Sequence, residues 1–466
     1  MIMIRNMNKR AITFCSTAAI SLLVAGCAST TPGSGASSES PTDASGTERS
    51  SEEPEGETAT STSDAAGATV EAPGPTPRLA VTHDGGVLVL DALSLEVEAD
   101  LPAEGFTRLN PAGDGRHLFL TEGDAFRLLD AGTWSEPHGN HDHSYTTEPN
   151  LTDLAAEGSH PGHVVRHAGT TALYFDGAGR IDLLDPAELD AEAAELPVTE
   201  SIEVADPHHG VAVRLEDGSL LETVGTEEER TGARVVDAAG QEIAATDECP
   251  NVHGETVAEG EAVVLGCEDG PVVYADGSFT KVASPDDYGR VGNVAGTEAS
   301  HVVLGDYKVD EDAELERPEL ISLTDTRTGE LQLVDLGTSY SFRSLGRGPQ
   351  GEALVLGTDG ELHVIDPESG EVTDELAVVQ AWEEPAEWQE PRPTLFVHGQ
   401  FGFVTEPASS ALHIVDLDSM QVIDSATLPH VPNELSGVSG DVETEHSDED
   451  HESDHGHEHD EEERTS

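Results

Sequence analysis

Three histidines recur in register along this chain, and imidazoles brought together are metal ligands. His163 in HVVRHAG, His209 in PHHGVAV and His253 in NVHGETV each open a β-like segment, at intervals of 46 and 44 residues. In a radial repeat with one unit per interval, equivalent positions of neighbouring units face a common axis, so the three imidazoles would converge. Convergent neutral imidazoles suit zinc. The plainer reading of any single one is a tight turn, since His209 and His253 each precede a glycine; three coincidences in register favour the metal.

Other histidines fall near this set. His167 shares the HVVRH phrase with His163 and aligns with His398 at a hairpin tip, where a turn role competes with a metal role. His208 adjoins His209, and in extended backbone the two side chains point to opposite faces, so one of the pair is expected to be a ligand. The segment SEPHGNHDHSYTTEPN carries His138, His141 and His143. Its polar composition predicts an irregular, mobile loop that leads into His163 and supplies the last ligand to a half-built site. A last group, His446, His451, His455, His457 and His459, lies among carboxylates in HSDEDHESDHGHEHDEEE. Such a run captures borderline metals weakly and without fixed geometry, or simply solvates the chain end.

The elements that must position these residues are legible in a recurring phrase: apolar residues, an Asp, two or three turn residues, then a second apolar alternation. It occurs at Asp91, Asp130, Asp185, Asp237, Asp325, Asp366 and Asp416, in steps of 39, 55, 52, 88, 41 and 50 residues. Each phrase is a β-hairpin by its turn chemistry. The long step conceals a degenerate unit around Tyr274. Units of this length are four-stranded blades, so the fold class is all-β, a β-propeller of seven or eight four-stranded blades, with a pair of β-sandwiches as the competing architecture.

Flanking composition sets the boundaries. Residues 1–26 read as a secretory signal, with Arg5, Lys9 and Arg10 ahead of a short apolar run that ends at Val24-Ala25-Gly26-Cys27. This is a lipoprotein-type cleavage site, which would leave Cys27 lipidated and the protein exported and anchored on the outer face of the membrane, at the cell surface or in a periplasm; an ordinary cleaved signal is the alternative. Residues 27–75 form a flexible Ser/Thr/Glu/Pro-rich tether, 76–437 the propeller, and 438–466 a disordered acidic tail. Cleavage leaves 19 basic against 93 acidic residues, a net charge of −74. Nucleic acid is excluded as a partner by that balance, because phosphate binding needs a positive face. Cys249 and Cys267, 18 positions apart in an oxidising compartment, read as a disulfide, with a pair of zinc thiolates as the rival. No HExxH and no GxSxG motif is present, so nothing local marks an enzyme.

The phrases PHHGVAV, ECPNVHGE, LGCEDG and EWQEPRPTLFVHGQFGFVTEPASSALHIVDLDSMQVI, within about residues 80–435, resemble the AztD family of exported zinc metallochaperones. The resemblance implies a propeller that binds Zn2+ through histidines and hands it to the solute-binding protein of a zinc ABC transporter. By position it implies metal roles for His163, His167, His208, His209 and His253, and for the loop from His138 to His143. Cys27 and the acidic tail depart from the family's pattern; a lipid tether replaces free diffusion. The expectation is therefore a monomeric, non-enzymatic chaperone with one or two zinc ions near the channel mouth. His163, His209 and His253 would set affinity, and His141 and His143 would set transfer rate. The alternatives are a propeller that binds a protein or cell-wall partner, and a metal-dependent propeller hydrolase whose channel would be lined by carboxylates.

Overall fold

The computed structural model describes residues 68–442. Cys27, the signal, most of the tether and the tail histidines His446, His451, His455, His457 and His459 lie outside these residues. The second strands of most units are continuous apolar runs, such as Arg78–His83, His117–Glu122, Ala262–Gly266 and Ala353–Gly357, and they are buried almost throughout. A strand buried on both faces has no need of alternation. The fourth strands, such as Val97–Pro102, Val372–Ala377 and Gln421–Thr427, mix apolar with charged residues and are largely exposed. Together these patterns specify sheets stacked face against face, with only their outer edges in water.

Eight four-stranded antiparallel sheets result among the described residues. Blade 1 is Arg78–His83, Gly86–Asp91 and Val97–Pro102, completed on its inner side by Leu435–Val438 from the far end of the chain. Blades 3, 4 and 5 run from Pro161–His167 to Val198–Glu203, from Ala212–Arg214 to Glu242–Thr246, and from His253–Ala258 to Ser278–Lys281. Between each adjacent pair of blades lies one apolar cluster, and the eight clusters close into a ring. This is an eight-bladed β-propeller. At the recurring aspartates, the third strand ends and the carboxylate accepts backbone N–H groups of the following turn. Asp91 caps Leu93 and Ser94, Asp325 caps Arg327 and Thr328, and Asp366 caps Glu368 and Ser369.

Two expectations are corrected. The segment expected to be an irregular loop is a hairpin, Thr133–His138 paired with His141–Thr146, and Val70–Ala72 from the expected tether adds a third strand. A two-residue turn at Gly139-Asn140, with Gly139 at φ 70°, makes the hairpin possible. Trp134 stacks on its cross-strand partner Tyr145 at 5.5 Å, and the Oγ atoms of Ser135 and Ser144 lie 2.9 Å apart. At the other end of the chain the closing strand reaches Val438, so the expected propeller limit of 437 falls inside a strand.

Cys249 and Cys267 are bridged, with Cα atoms 5.0 Å apart, and both are fully buried between blades 4 and 5. The zinc-thiolate reading is thereby set aside. The bridge fastens the segment that leads into His253 to the strand that pairs with it, since His253 lies opposite Gly266. Replacing both cysteines with Ala should lower unfolding stability by about 3 kcal/mol, the entropy of an 18-residue loop, as measured by urea denaturation.

Candidate metal centre

His163 sits on the innermost strand of blade 3, His209 in the turn before the innermost strand of blade 4, and His253 at the first position of blade 5. Consecutive blades therefore bring all three to one mouth of the channel. Their ligand atoms lie within 4.8 Å of one another. His163 Nε2 and His209 Nε2 are 3.3 Å apart, the spacing of about 3.3 Å that two nitrogens adopt on a tetrahedral zinc with bonds of about 2.0 Å. The ring centroids of His209 and His253 are 5.1 Å apart, and those of His163 and His253 5.9 Å.

Each ring is oriented from behind. His209 Nδ1 donates to Asp176 Oδ2 at 2.6 Å, His163 Nδ1 to Glu255 Oε2 at 3.1 Å, and His253 Nδ1 to the Gly292 carbonyl at 2.7 Å. With Nδ1 committed as a donor, the lone pair of each ring is on Nε2, the atom aimed at the centre. A dication there would be balanced by the two carboxylates. Three imidazoles leave a fourth tetrahedral position for water or for a ligand brought by a partner. Local backbone serves the same end: Gly254 takes φ 65° at a β-bulge, which sets the direction of His253 against that of Glu255.

Charge is distributed unequally over the three rings. Burial disfavours the cationic form of His163, but the adjacent Glu255 carboxylate outweighs it and its pKa rises above the ordinary 6.5. His253 is pushed down to about 3, first by burial and then by repulsion from His163. It is therefore neutral and ready to ligate at any physiological pH.

The remaining expected residues go elsewhere. His167 is not part of the triad. Four residues further along the same strand, about 13 Å at the rise of a strand, it pairs with Glu261 at 3.0 Å in a cavity of ≈ 980 Å³ at the other end of the inner strands. His208 faces the blade interior, with Nε2 3.1 Å from both the Tyr174 hydroxyl and Thr223 Oγ1. The hairpin does not complete the triad either. Its Trp134, Ser135 and Pro137 line the His167 cavity, and its histidines form a group of their own. His138 Nδ1 lies 3.1 Å and His141 Nε2 3.3 Å from His143 Nε2, while His143 Nδ1 bonds Glu71 at 2.8 Å. Strand pairing explains the difference, because a hairpin held in a three-stranded sheet keeps i and i+2 side chains on one face, so His141 and His143 meet each other.

Sequence reasoning missed Asp176 and Glu255, which orient His209 and His163 from 33 and 92 residues away. It also missed a further convergent group, His83, Asp100 and His430. Nothing local marks any of them among 93 acidic residues.

A closed propeller with a preformed imidazole cage at one mouth is the kind of protein that holds a borderline divalent metal. The chain is similar to the zinc chaperone AztD of Citrobacter koseri, with 26% identity over 386 residues, which is 79% of this chain and 88% of the relative. The crystal structure of Citrobacter koseri AztD matches with a TM-score of 0.67 at 24% identity, covering 78% of this chain and 98% of that one. The apo form of the same protein matches with a TM-score of 0.66, again at 24% identity and with the same coverage. Both structures share the fold. No family model matches the sequence.

Because a metal must displace the proton that Glu255 stabilises on His163, zinc affinity should fall as pH drops below the raised His163 pKa, by about tenfold per unit for each proton displaced. Glu255→Gln removes the stabilising charge, leaving burial to dominate, so the fall should begin at lower pH. Competition titrations with a chromophoric chelator between pH 5 and 8 would check both.

Proposed function

We propose that the protein is an exported zinc chaperone that takes Zn2+ at His163, His209 and His253 and passes it to the solute-binding protein of a zinc ABC transporter. The observation that carries the reading is the orientation of the cage: three Nε2 atoms face one point, each backed by a fixed acceptor. Nitrogen donors select a borderline dication over Mg2+ or Ca2+, which prefer oxygen, and the cage holds no activated nucleophile of its own. The likeness to AztD supports zinc as the cargo.

Transfer requires that the ion never be released to water. The free fourth position admits one donor of the acceptor while three imidazoles still hold the zinc, and the rings then leave in turn. His209 has 38% of its side chain accessible against 19% for His163, and it is the ring an acceptor reaches first. The second cage at His138, His141 and His143 is exposed and acts as a capture station, its ligands lying on a sheet that only Val70–Ala72 and its own hairpin complete. Export and anchoring through lipid on Cys27 would hold the chaperone, a monomer in this reading, beside its transporter.

His163→Ala, His209→Ala and His253→Ala should each weaken zinc binding by more than the about 10–100-fold that loss of an outer partner costs, and Asp176→Asn by about that amount. The triple change His138→Ala/His141→Ala/His143→Ala should leave the tightest site intact and slow zinc delivery to an apo solute-binding protein. Isothermal titration and stopped-flow transfer separate the two effects. Unchanged tight binding in the triad variants would overturn the proposal.

A further inference from the structure

We infer that the seam of the propeller carries a separate divalent-cation site, formed by His83, Asp100 and His430, whose ion locks the ring shut. His83 ends the strand Arg78–His83 of blade 1, Asp100 lies on its outer strand, and His430 belongs to the passage from the strand Gln421–Thr427 to the closing strand. Three distant segments thus meet where the closing strand joins the first strand of the propeller.

The geometry is that of a ligand set. His83 Nε2 lies 3.1 Å from Asp100 Oδ1, His430 Nε2 lies 2.9 Å from Asp100 Oδ2, and the two rings stack with centroids 4.0 Å apart. His83 Nδ1 is 3.1 Å from the Asp84 carbonyl. Nδ1 donates to that carbonyl, so Nε2 faces the Asp100 carboxylate across either a proton or a cation, and a dication can take the proton's place with the carboxylate as a second ligand. Two imidazoles and one carboxylate around open positions suit a borderline dication. Room is kept beside the ligand atom by Gly86, where a Cβ would stand 3.0 Å from His83 Nε2. Only 5% of the His83 side chain is accessible, against 41% for His430 and 47% for Asp100, so the ion is anchored on a rigid strand and exchanges through the exposed side.

Position gives this site its consequence. His430 precedes Asn433 and Glu434, which bond Thr82 through Asn433 N to Thr82 O at 2.8 Å and Thr82 N to Glu434 O at 3.0 Å. Leu435–Val438 then pairs with Leu79–Val81 and Arg78. An ion shared by His83, Asp100 and His430 spans this joint, and binding to the closed ring alone stabilises closure.

The test uses the full chain with both imidazole cages disabled by His163→Ala, His209→Ala, His138→Ala, His141→Ala and His143→Ala, compared with the same protein carrying Asp100→Asn or His430→Gln. In the first protein, saturating Zn2+ should raise the unfolding midpoint by a few degrees and slow hydrogen exchange of the Leu435–Val438 amides by about tenfold. Both effects should vanish with Asp100→Asn and with His430→Gln, while the zinc-free midpoints stay alike. Zinc binding by the acidic tail is common to all three proteins and cancels. No zinc effect at the seam, or one that survives both changes, overturns the inference. Asp100→Asn in the otherwise native chain should retain tight zinc binding at the triad, so failure at the seam is distinguishable from failure of the chaperone reading.

Discussion

Three imidazoles aimed at one another through their unprotonated nitrogens repel until a cation stands between them. A folded protein keeps such an arrangement only if the side chains cannot turn away. Here Asp176, Glu255 and the Gly292 carbonyl hold the rings, and the blades hold those partners. The apolar clusters between blades 3 and 4 and between blades 4 and 5 fix the spacing of the three inner strands, and the disulfide adds a covalent tie beside the third. Preorganisation of this kind removes the ordering cost from the binding step.

The architecture was largely readable because its signal is repeated. An Asp caps the turn that follows the third strand, and seven of the eight blades show it. The eighth, blade 5, lacks the phrase for a physical reason. Its third and fourth strands are joined by a two-residue turn at Asp276 and Gly277, both with positive φ, so no longer capped turn exists. The register of His163, His209 and His253 was readable for the same reason as the blades. The carboxylates that orient them were not, since any of many acids would look alike in sequence and the contacts cross between blades. His167 was misassigned because a shared phrase hides the length of a strand. The hairpin reads as a loop in sequence although Gly139-Asn140 is a turn signal, because its strands are polar and its third strand is a short segment, Val70–Ala72, distant in the chain.

A net charge of −71 and the cages act on different scales. The diffuse charge draws cations of every kind toward the surface, more weakly as salt rises. Among the described residues, nitrogen donors converge at the blade triad, the hairpin and the seam, and selection among cations needs such sites. Dense acidity and sparse imidazole together concentrate first and discriminate second.

Both ends of the described chain are fastened to the root of the same hairpin. Thr133 Oγ1 donates to the Thr76 carbonyl at 2.7 Å and Ser135 Oγ to the Gly440 carbonyl at 2.7 Å. Whatever precedes residue 68 and follows residue 442 therefore departs from one patch. The histidines between 446 and 459 follow in sequence from a point bonded to the hairpin that carries His138, His141 and His143. Were both sets to hold metal, exchange between them would take place within one molecule, at a rate indifferent to how dilute the protein is.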